Sequence, residues 1–278
     1  MSLTLGSMLM ATMPIAPPPF DVSTLDLTIR LKAGSAYVKE YVSPANGGNG
    51  YWAWFGSPSA GISGTIDCCR RTHTGGENFF GDVLDGKQTV RIIDTQGGGL
   101  GALVSTADVR SGANTALPAA ISDIGTSSIE GTSGTMWALF KLVSYPGGTT
   151  MRQIVGQYAT ISVYGTGTLR SGNYATGAYA ESAALSTGVW VVVFLRWAGT
   201  GGGATKEMRI NKGGWISQSV GPTGTMNTNG PFDVGLSAWS GADAHVADVG
   251  VSLTAYATGT CDDIYDGLKA LYPSAGLP

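Results

Sequence analysis

The amino-acid sequence predicts an all-β protein, a sandwich or barrel of short strands, and three observations carry that prediction. Glycine supplies 43 of the 278 residues with no collagen-like period, an excess that in an ordered chain means many tight turns. Apolar residues alternate at period two, as at Leu25, Leu27, Ile29 and Leu31, the spacing that buries one face of a strand. Strand-turn units then recur about every ten residues, the spacing of sandwiches and barrels.

The elements follow in order. After the first strand comes a Gly/Pro/Asn-rich stretch at 43–50, then an aromatic cluster of Tyr51, Trp52, Trp54 and Phe55. Residues 56–80 carry mostly turn chemistry. Val90, Ile92 and Ile93 mark a strand closed by three consecutive glycines at 97–99, and residues 105–133 read as a long surface excursion. From 134 the strand signal is continuous. Over 134–145, Trp137, Leu139 and Lys141 alternate with Met136, Ala138 and Phe140. Strands are expected at 151–155, 158–165 and 176–182. The segment 188–199 is the most apolar and reads as a central strand buried on both sides. Residues 206–215 read as a hairpin turning at Gly213-Gly214, and 231–241 and 245–257 close the strand series. One helix is expected, N-capped by Thr260, with Ile264, Leu268 and Leu271 on one face and Pro273 as its stop. No fixed-period repeat points to a propeller or solenoid.

Composition narrows the function classes. Lys and Arg number 16 and Asp and Glu 19, for a net charge of −3, and Arg70-Arg71 is the densest basic cluster. That leaves no phosphate track, so nucleic acid is not an expected partner. Low charge suits a surface permanently packed into an assembly, and a homo-oligomer is expected. Three cysteines, Cys68, Cys69 and Cys261, give no disulfide framework and too few ligands for zinc; buried thiols of a protein folded in a reducing cytoplasm are expected. The first residues lack the basic n-region of a signal peptide, and their apolar run is too short for a membrane span. Pro17, Pro18 and Pro19 form a stiff polyproline segment that holds residues 1–16 away from the domain. Residues 1–19 are therefore read as an extended arm and 20–278 as the domain. The arm is either a disordered tail or, through Pro17, Pro18, Pro19 and Phe20, a partner-docking segment.

The order of the later strands resembles that of laminin-G-like, concanavalin A-like domains. The run 188–199 is similar to their Trp-led apolar strand. Arg209, Ile210, Asn211 and Gly213-Gly214 resemble their Asn-Gly hairpin. Residues 231–257 look like their closing strand pair, and 262–272 like their terminal short helix. The opening at 21–34 is similar to versions encoded by bacteriophages and marine bacteria, with Arg30 where Trp is usual, and 82–94 resembles a further strand with Ile93 in place of an aromatic. The resemblance spans roughly 20–272 and implies a concanavalin A-like jelly-roll sandwich of two antiparallel sheets with one short C-terminal helix. With the arm and the low charge, it implies a non-catalytic bacteriophage virion protein, a capsid decoration or a tail or fibre component. Such a protein would be folded in the host cytoplasm and carried in the virion. Its arm would dock on other virion proteins or sister subunits. A free carbohydrate-binding module is the alternative, and a glycan-degrading enzyme a third reading.

No catalytic constellation emerges. The family's glucanases carry paired carboxylates on one strand face, and no such spacing occurs here. Asp82 and Asp85 read as turn residues, and Asp262, Asp263 and Asp266 as helix residues. His73 and His245 lie in no nucleophile elbow. No cofactor is expected; among ions, calcium alone suits loop carboxylates, with Asp243 and Asp248 as candidates. Sugar sites stack aromatic rings on pyranose faces and add polar hydrogen bonds. Trp52, Trp54 and Trp239 beside glycine-rich loops, with Asp243 and His245, are the glycan-binding candidates, whereas Trp190 and Trp197 belong to the buried strand.

Overall fold

The computed structural model describes residues 18–25, 29–32, 36–43, 48–55, 67–69, 80–92, 133–148, 151–156, 159–173, 178–198, 205–217 and 243–278, with backbone alone for the strands before residue 70. Along them run the strands β1 (Ile29–Lys32), β2 (Ala36–Ser43), β3 (Gly48–Phe55), β4 (Asp67–Cys69), β5 (Phe80–Leu84), β6 (Lys87–Ile92), β7 (Ser133–Leu142) and β8 (Met151–Gly156). They continue as β9 (Ala159–Tyr164), β10 (Thr168–Asn173), β11 (Ala178–Ala184), β12 (Trp190–Ala198), β13 (Thr205–Ile210), β14 (Ile216–Ser217) and β15 (Ala244–Ser252). The helix α1 (Thr258–Leu271) follows.

Eight strands form one sheet in the order β14-β13-β12-β7-β15-β6-β5, with β1 also paired to β15. A second sheet runs β11-β10-β9-β8, and a smaller third runs β2-β3-β4. The pairings are antiparallel throughout the described residues. The fold is thus the expected all-β sandwich of jelly-roll type with one C-terminal helix, and a third small sheet is added to the two expected.

The large sheet is buried on both faces. Met136, Ala138, Phe140 and Leu142 of β7, and Val191, Val193, Leu195 and Trp197 of β12, meet Ile154, Ile161, Val163 and Leu169 of the second sheet. The alternate residues Trp137, Leu139, Trp190, Val192 and Phe194 face Cys261, Ile264, Tyr265 and Leu268 of α1. Period-two alternation thus yields two apolar faces, because side chains of successive residues point to opposite sides. Each fully buried large side chain contributes about 1.5–3 kcal/mol relative to an exposed one.

Two tryptophans lie across glycines of the neighbouring strand. Trp137 is in register with Gly250 and Trp197 with Gly134. A Cβ on Gly250 would stand 1.9 Å from the Trp137 ring, and one on Gly134 would stand 2.1 Å from the Trp197 ring. Each glycine makes the hollow that its partner's ring fills, one toward α1 and the other between the sheets.

β15 keeps its apolar face inward through a bulge. Its register against β7 shifts between Val246 and Asp248. Ala244, Val246, Val249 and Val251 therefore all face the second sheet, and Ala247 packs toward α1. The shift also aims Asp248 at the helix side. There its fully buried carboxylate accepts the Trp137 indole N–H at 3.2 Å and the Tyr272 hydroxyl at 3.3 Å. The other edge of β15 is divided: β6 takes Ala244–Val246 and β1 takes Asp248–Val251. The β5–β6 hairpin reaches the end of α1, where Asp85 accepts from the Ser274 N–H at 3.0 Å and Lys87 donates to the Leu271 carbonyl at 3.1 Å.

Several local expectations are corrected. The helix begins at Thr258, with Ala257 at the N-cap and no side-chain cap, so Thr260 lies inside the first turn. Trp215 donates its indole N–H to the Thr258 hydroxyl at 2.9 Å, and Arg209 and Lys212 each reach an acid of the helix, Asp262 and Asp266, at 2.7 Å. These tertiary contacts fix the start that a capping pattern was expected to set. In the β13–β14 hairpin the left-handed residue is Asn211, at φ 52°, rather than either glycine. Asn tolerates that region because its short amide finds local partners; its Oδ1 accepts the Val192 N–H at 2.9 Å. β2, β3, the short β4 and β10 were not anticipated as strands. The expected strand at 231–241 and residues 1–17 of the arm lie outside the described residues.

Three predictions follow from this packing. Gly250→Ala is expected to destabilise the protein by about 2–4 kcal/mol in urea unfolding. In a Trp137→Leu background the same change is expected to cost nothing further, since the clashing ring is gone. Lys206 of β13 is 1% exposed, and burial lowers its pKa from the usual lysine value. The unfolded chain then binds more protons between the lowered value and the ordinary one, so wild-type stability rises as pH climbs through that window. Lys206→Met is expected to be more stable than wild type by about 1–3 kcal/mol at neutral pH, with the gap closing as the pH approaches the ordinary lysine value. Cys261 is fully buried, and burial pushes its thiol up to about 11 against the opposing pull of Arg196 and Arg209. It is therefore expected to resist thiol reagents at neutral pH until the protein unfolds, as read by mass mapping of labelled peptides.

Candidate functional site

Four connections gather at the end of the sandwich where β7 finishes. The Val143 N–H donates to the Asp243 carbonyl at 2.8 Å, and the Gly188 N–H to the Leu142 carbonyl at 2.8 Å. The Gly147 N–H donates to the Gly165 carbonyl, and the Leu185 N–H to the Gly167 carbonyl, each at 3.0 Å. The turn after β7, the β9–β10 turn, the β11–β12 connection and the entry to β15 are thereby tied into one backbone cluster.

That cluster presents apolar side chains to solvent. Tyr145 is 42% exposed, Val143 37% and Val189 49%. The Tyr145 ring lies against Gly167, whose φ of 105° and missing side chain admit it. Its hydroxyl donates to the Leu185 carbonyl at 2.8 Å. One edge of the ring is thus anchored and the ring is held in place while still exposed. Beside it the Ser144 hydroxyl donates to the Asp243 carboxylate at 3.1 Å.

Behind this rim runs a polar row on the helix face of the large sheet. Lys141 is in register with Trp190 on one side and His245 on the other. Its ammonium pairs with the Asp82 carboxylate and stands 5.2 Å from the Trp190 ring centroid. The His245 Nδ1 accepts the Asp82 backbone N–H at 2.7 Å. The same Nδ1 lies 3.4 Å from the Asp82 carboxylate, so both the backbone and the side chain of Asp82 meet the imidazole.

The sequence candidates fall unevenly on this geometry. Asp243 sits on the rim and keeps its carboxylate there. His245 is buried and its Nδ1 is committed to Asp82. Trp52 and Trp54 lie within β3, in register with Lys39 and Tyr37, rather than in a loop; Trp239 lies outside the described residues. Trp190 and Trp197 are buried in β12 as expected. Pro18 and Pro19 are exposed, whereas Phe20 packs against the core beneath α1; Pro17 is outside the described residues.

The proposed calcium pair is corrected. Four residues of extended strand lie between Asp243 and Asp248, a span of about 15 Å, and Asp248 is buried among indole and phenol donors. Calcium requires its oxygens within about 2.6 Å. Among the described residues no group of three or more His, Cys, Asp or Glu side chains could hold a metal ion, and no helix is long and apolar enough to cross a membrane.

Sequence reasoning passed over Tyr145, Val143 and Val189. The available signal was the Tyr-Pro-Gly-Gly run at 145–148, an aromatic placed on a turn and not in a strand interior. Val189 follows Gly188 at φ 77° and falls within the expected buried strand 188–199, whereas β12 begins only at Trp190.

No family model and no curated protein matches the chain. Among solved structures it is similar to a Trypanosoma rangeli sialidase, with 8% identity over 93% of this chain and 36% of that one, at a TM-score of 0.45. It is also similar to the CBM40 of a Ruminococcus gnavus IT-sialidase bound to α2,3-sialyllactose, with 11% identity over 64% and 96% of the two chains and a TM-score of 0.41. Domain 4 of AbnA, a GH43 extracellular arabinanase from Geobacillus stearothermophilus in complex with arabinotriose, gives 15% identity over 86% and 98% at a TM-score of 0.39. The chain spans between 35% and 37% of the length of the first three solved chains it resembles. These likenesses place no residue of this chain in a known site; the sandwich stands on its own sheet topology and two-sided core.

Proposed function

We propose that the chain is a non-catalytic, lectin-like sandwich that binds a glycan at the loop end around Tyr145. The observation that carries the reading is an exposed tyrosine ring, anchored by its hydroxyl to the Leu185 carbonyl, on a loop cluster that also exposes Val143 and Val189. Exposed apolar groups clustered at one place mark interaction sites more often than chance exposure does. A pyranose has C–H faces that stack on such a ring and hydroxyls that pair with Asp243 and Ser144. Because the loops are already fixed, little ordering is needed on binding. The non-catalytic part rests on how the acids are used. Asp82 pairs with Lys141, Asp85 with Ser274, Asp262 with Arg209 and Asp266 with Lys212.

A second reading, membership of a bacteriophage virion, is favoured by the seat of Phe20. Its carbonyl and Val22 lie against Gly267 of α1, while Pro18 and Pro19 stand in solvent. Phe20 thus roots the start of the domain against α1 with the two prolines before it in solvent, as the base of a segment docking on a sister subunit or another virion protein would. The two readings are compatible, since an anchored sandwich leaves its rim free.

The test is binding to an array of plant, algal and bacterial polysaccharides. Wild type is expected to bind at least one, Tyr145→Ala to lose about tenfold or more in affinity, and Tyr145→Phe to retain binding. A wild-type protein that binds nothing on the array sinks the glycan reading. For the second, mass spectrometry of purified particles decides: a chain absent from virions removes it.

A further inference from the structure

The space between the two main sheets holds a charged group that the packing does not account for. Lys206 shares the inward face of β13 with Met208, is 1% exposed, and its Nζ has no hydrogen-bond partner. Directly across from it on β12 is Trp197, 2% exposed, whose indole Nε1–H also has no acceptor. Cross-strand neighbours on one face stand about 5 Å apart at Cβ, so two adjacent side chains of the inter-sheet face each carry a donor without a partner.

The neighbouring side chains of the second sheet named in the core are apolar or already engaged. Leu169 and Ala180 of the second sheet are apolar and belong to the shared core. The Ser182 hydroxyl already accepts the Leu169 N–H and donates to the Ala183 carbonyl. Glu181, the neighbouring acid, is spent on Arg170 at 2.7 Å on the outer side. A buried ammonium without a counter-charge is costly, and unpaired buried donors are rare in native structures.

We propose that Lys206 and Trp197 form a buried site for a small monovalent carboxylate between the sheets. A carboxylate is all acceptor. It offers one oxygen to the ammonium and another to the indole, and its single charge neutralises the lysine. A multiply charged oxyanion would carry surplus charge into an apolar space. The site lies at the β7 end marked by Gly134, which pairs with Trp197, whereas the Tyr145 rim lies beyond Leu142 at the other end. The proposal therefore stands apart from the glycan reading.

The experiment is thermal unfolding of the full chain in sodium formate against sodium chloride at equal ionic strength and pH. Wild type is expected to show a saturable rise of a few degrees in formate over chloride, and Lys206→Met none. An equal response of the two proteins, or no difference between the salts for wild type, overturns the proposal. A second measurement needs no variant: the Trp197 indole N–H resonance of wild type is expected to move saturably with formate while the other indole resonances stay fixed. A Trp197 resonance unmoved across the titration also overturns it.

Discussion

The large sheet is buried on both faces, and most of the structure answers to that constraint. A sheet with one wet face can place any polar residue outward; this one cannot. β7 and β12 must be apolar at nearly every position, and every polar group they carry must find a partner or cost stability. That requirement brings α1 onto the outer face. It lays Arg196 over the Trp215 ring at 4.0 Å, with its guanidinium donating to Glu207 and to the Tyr256 carbonyl. It also makes the bulge in β15 necessary, because a regular strand there would turn Asp248 and Ser252 into the inter-sheet core and Val249 and Val251 toward the helix.

The same constraint explains the tryptophan–glycine pairs. Two apolar faces on one sheet demand large side chains on both sides of adjacent strands, and a ring as wide as an indole overhangs its neighbour. Gly134 and Gly250 remove the neighbour's Cβ at the two points of overhang. Their value lies in the space they leave, since neither adopts a positive φ. Among the described residues glycine therefore serves two ends: turns, as at Gly165, Gly167 and Gly188, and close packing within strands.

How much of this was legible in the sequence depended on whether the signal was local. The alternation of Met136, Ala138 and Phe140 with Trp137 and Leu139 predicted β7, and the apolar run after Gly188 predicted a strand buried on both sides. β10 escaped because Thr168–Asn173 carries one large apolar residue, Leu169; its place is set by pairing with β9 and β11. The start of α1 was displaced because Trp215, Arg209 and Lys212, more than forty residues upstream, hold its first turns. The site was read in part for the same reason. Asp243 was identified beside a turn, but its neighbours Tyr145 and Val189 come from different connections, and only the backbone bonds among those connections bring them together. His245 was expected at the start of a strand, but its neighbours Lys141 and Asp82 come from elements far away in the sequence and became visible only through the register.

The divided edge of β15 bears on the order in which the protein can be made. This strand stands between β7 on one side and β6 and β1 on the other, and its partner Ile29 precedes it by more than two hundred residues. During synthesis β7 emerges with both flanks open; β12 later fills one, and the other waits through β8 to β14 for β15. Until then both apolar faces of the sheet lack their centre, and α1, which seals the outer face, comes later still. Contacts of such long sequence separation close slowly, and a nascent chain with an open apolar edge is vulnerable to association with its copies. The sandwich is in effect locked by its last strand and helix, so a ribosome-bound chain stopped short of residue 244 has the pieces of a core without the element that joins them.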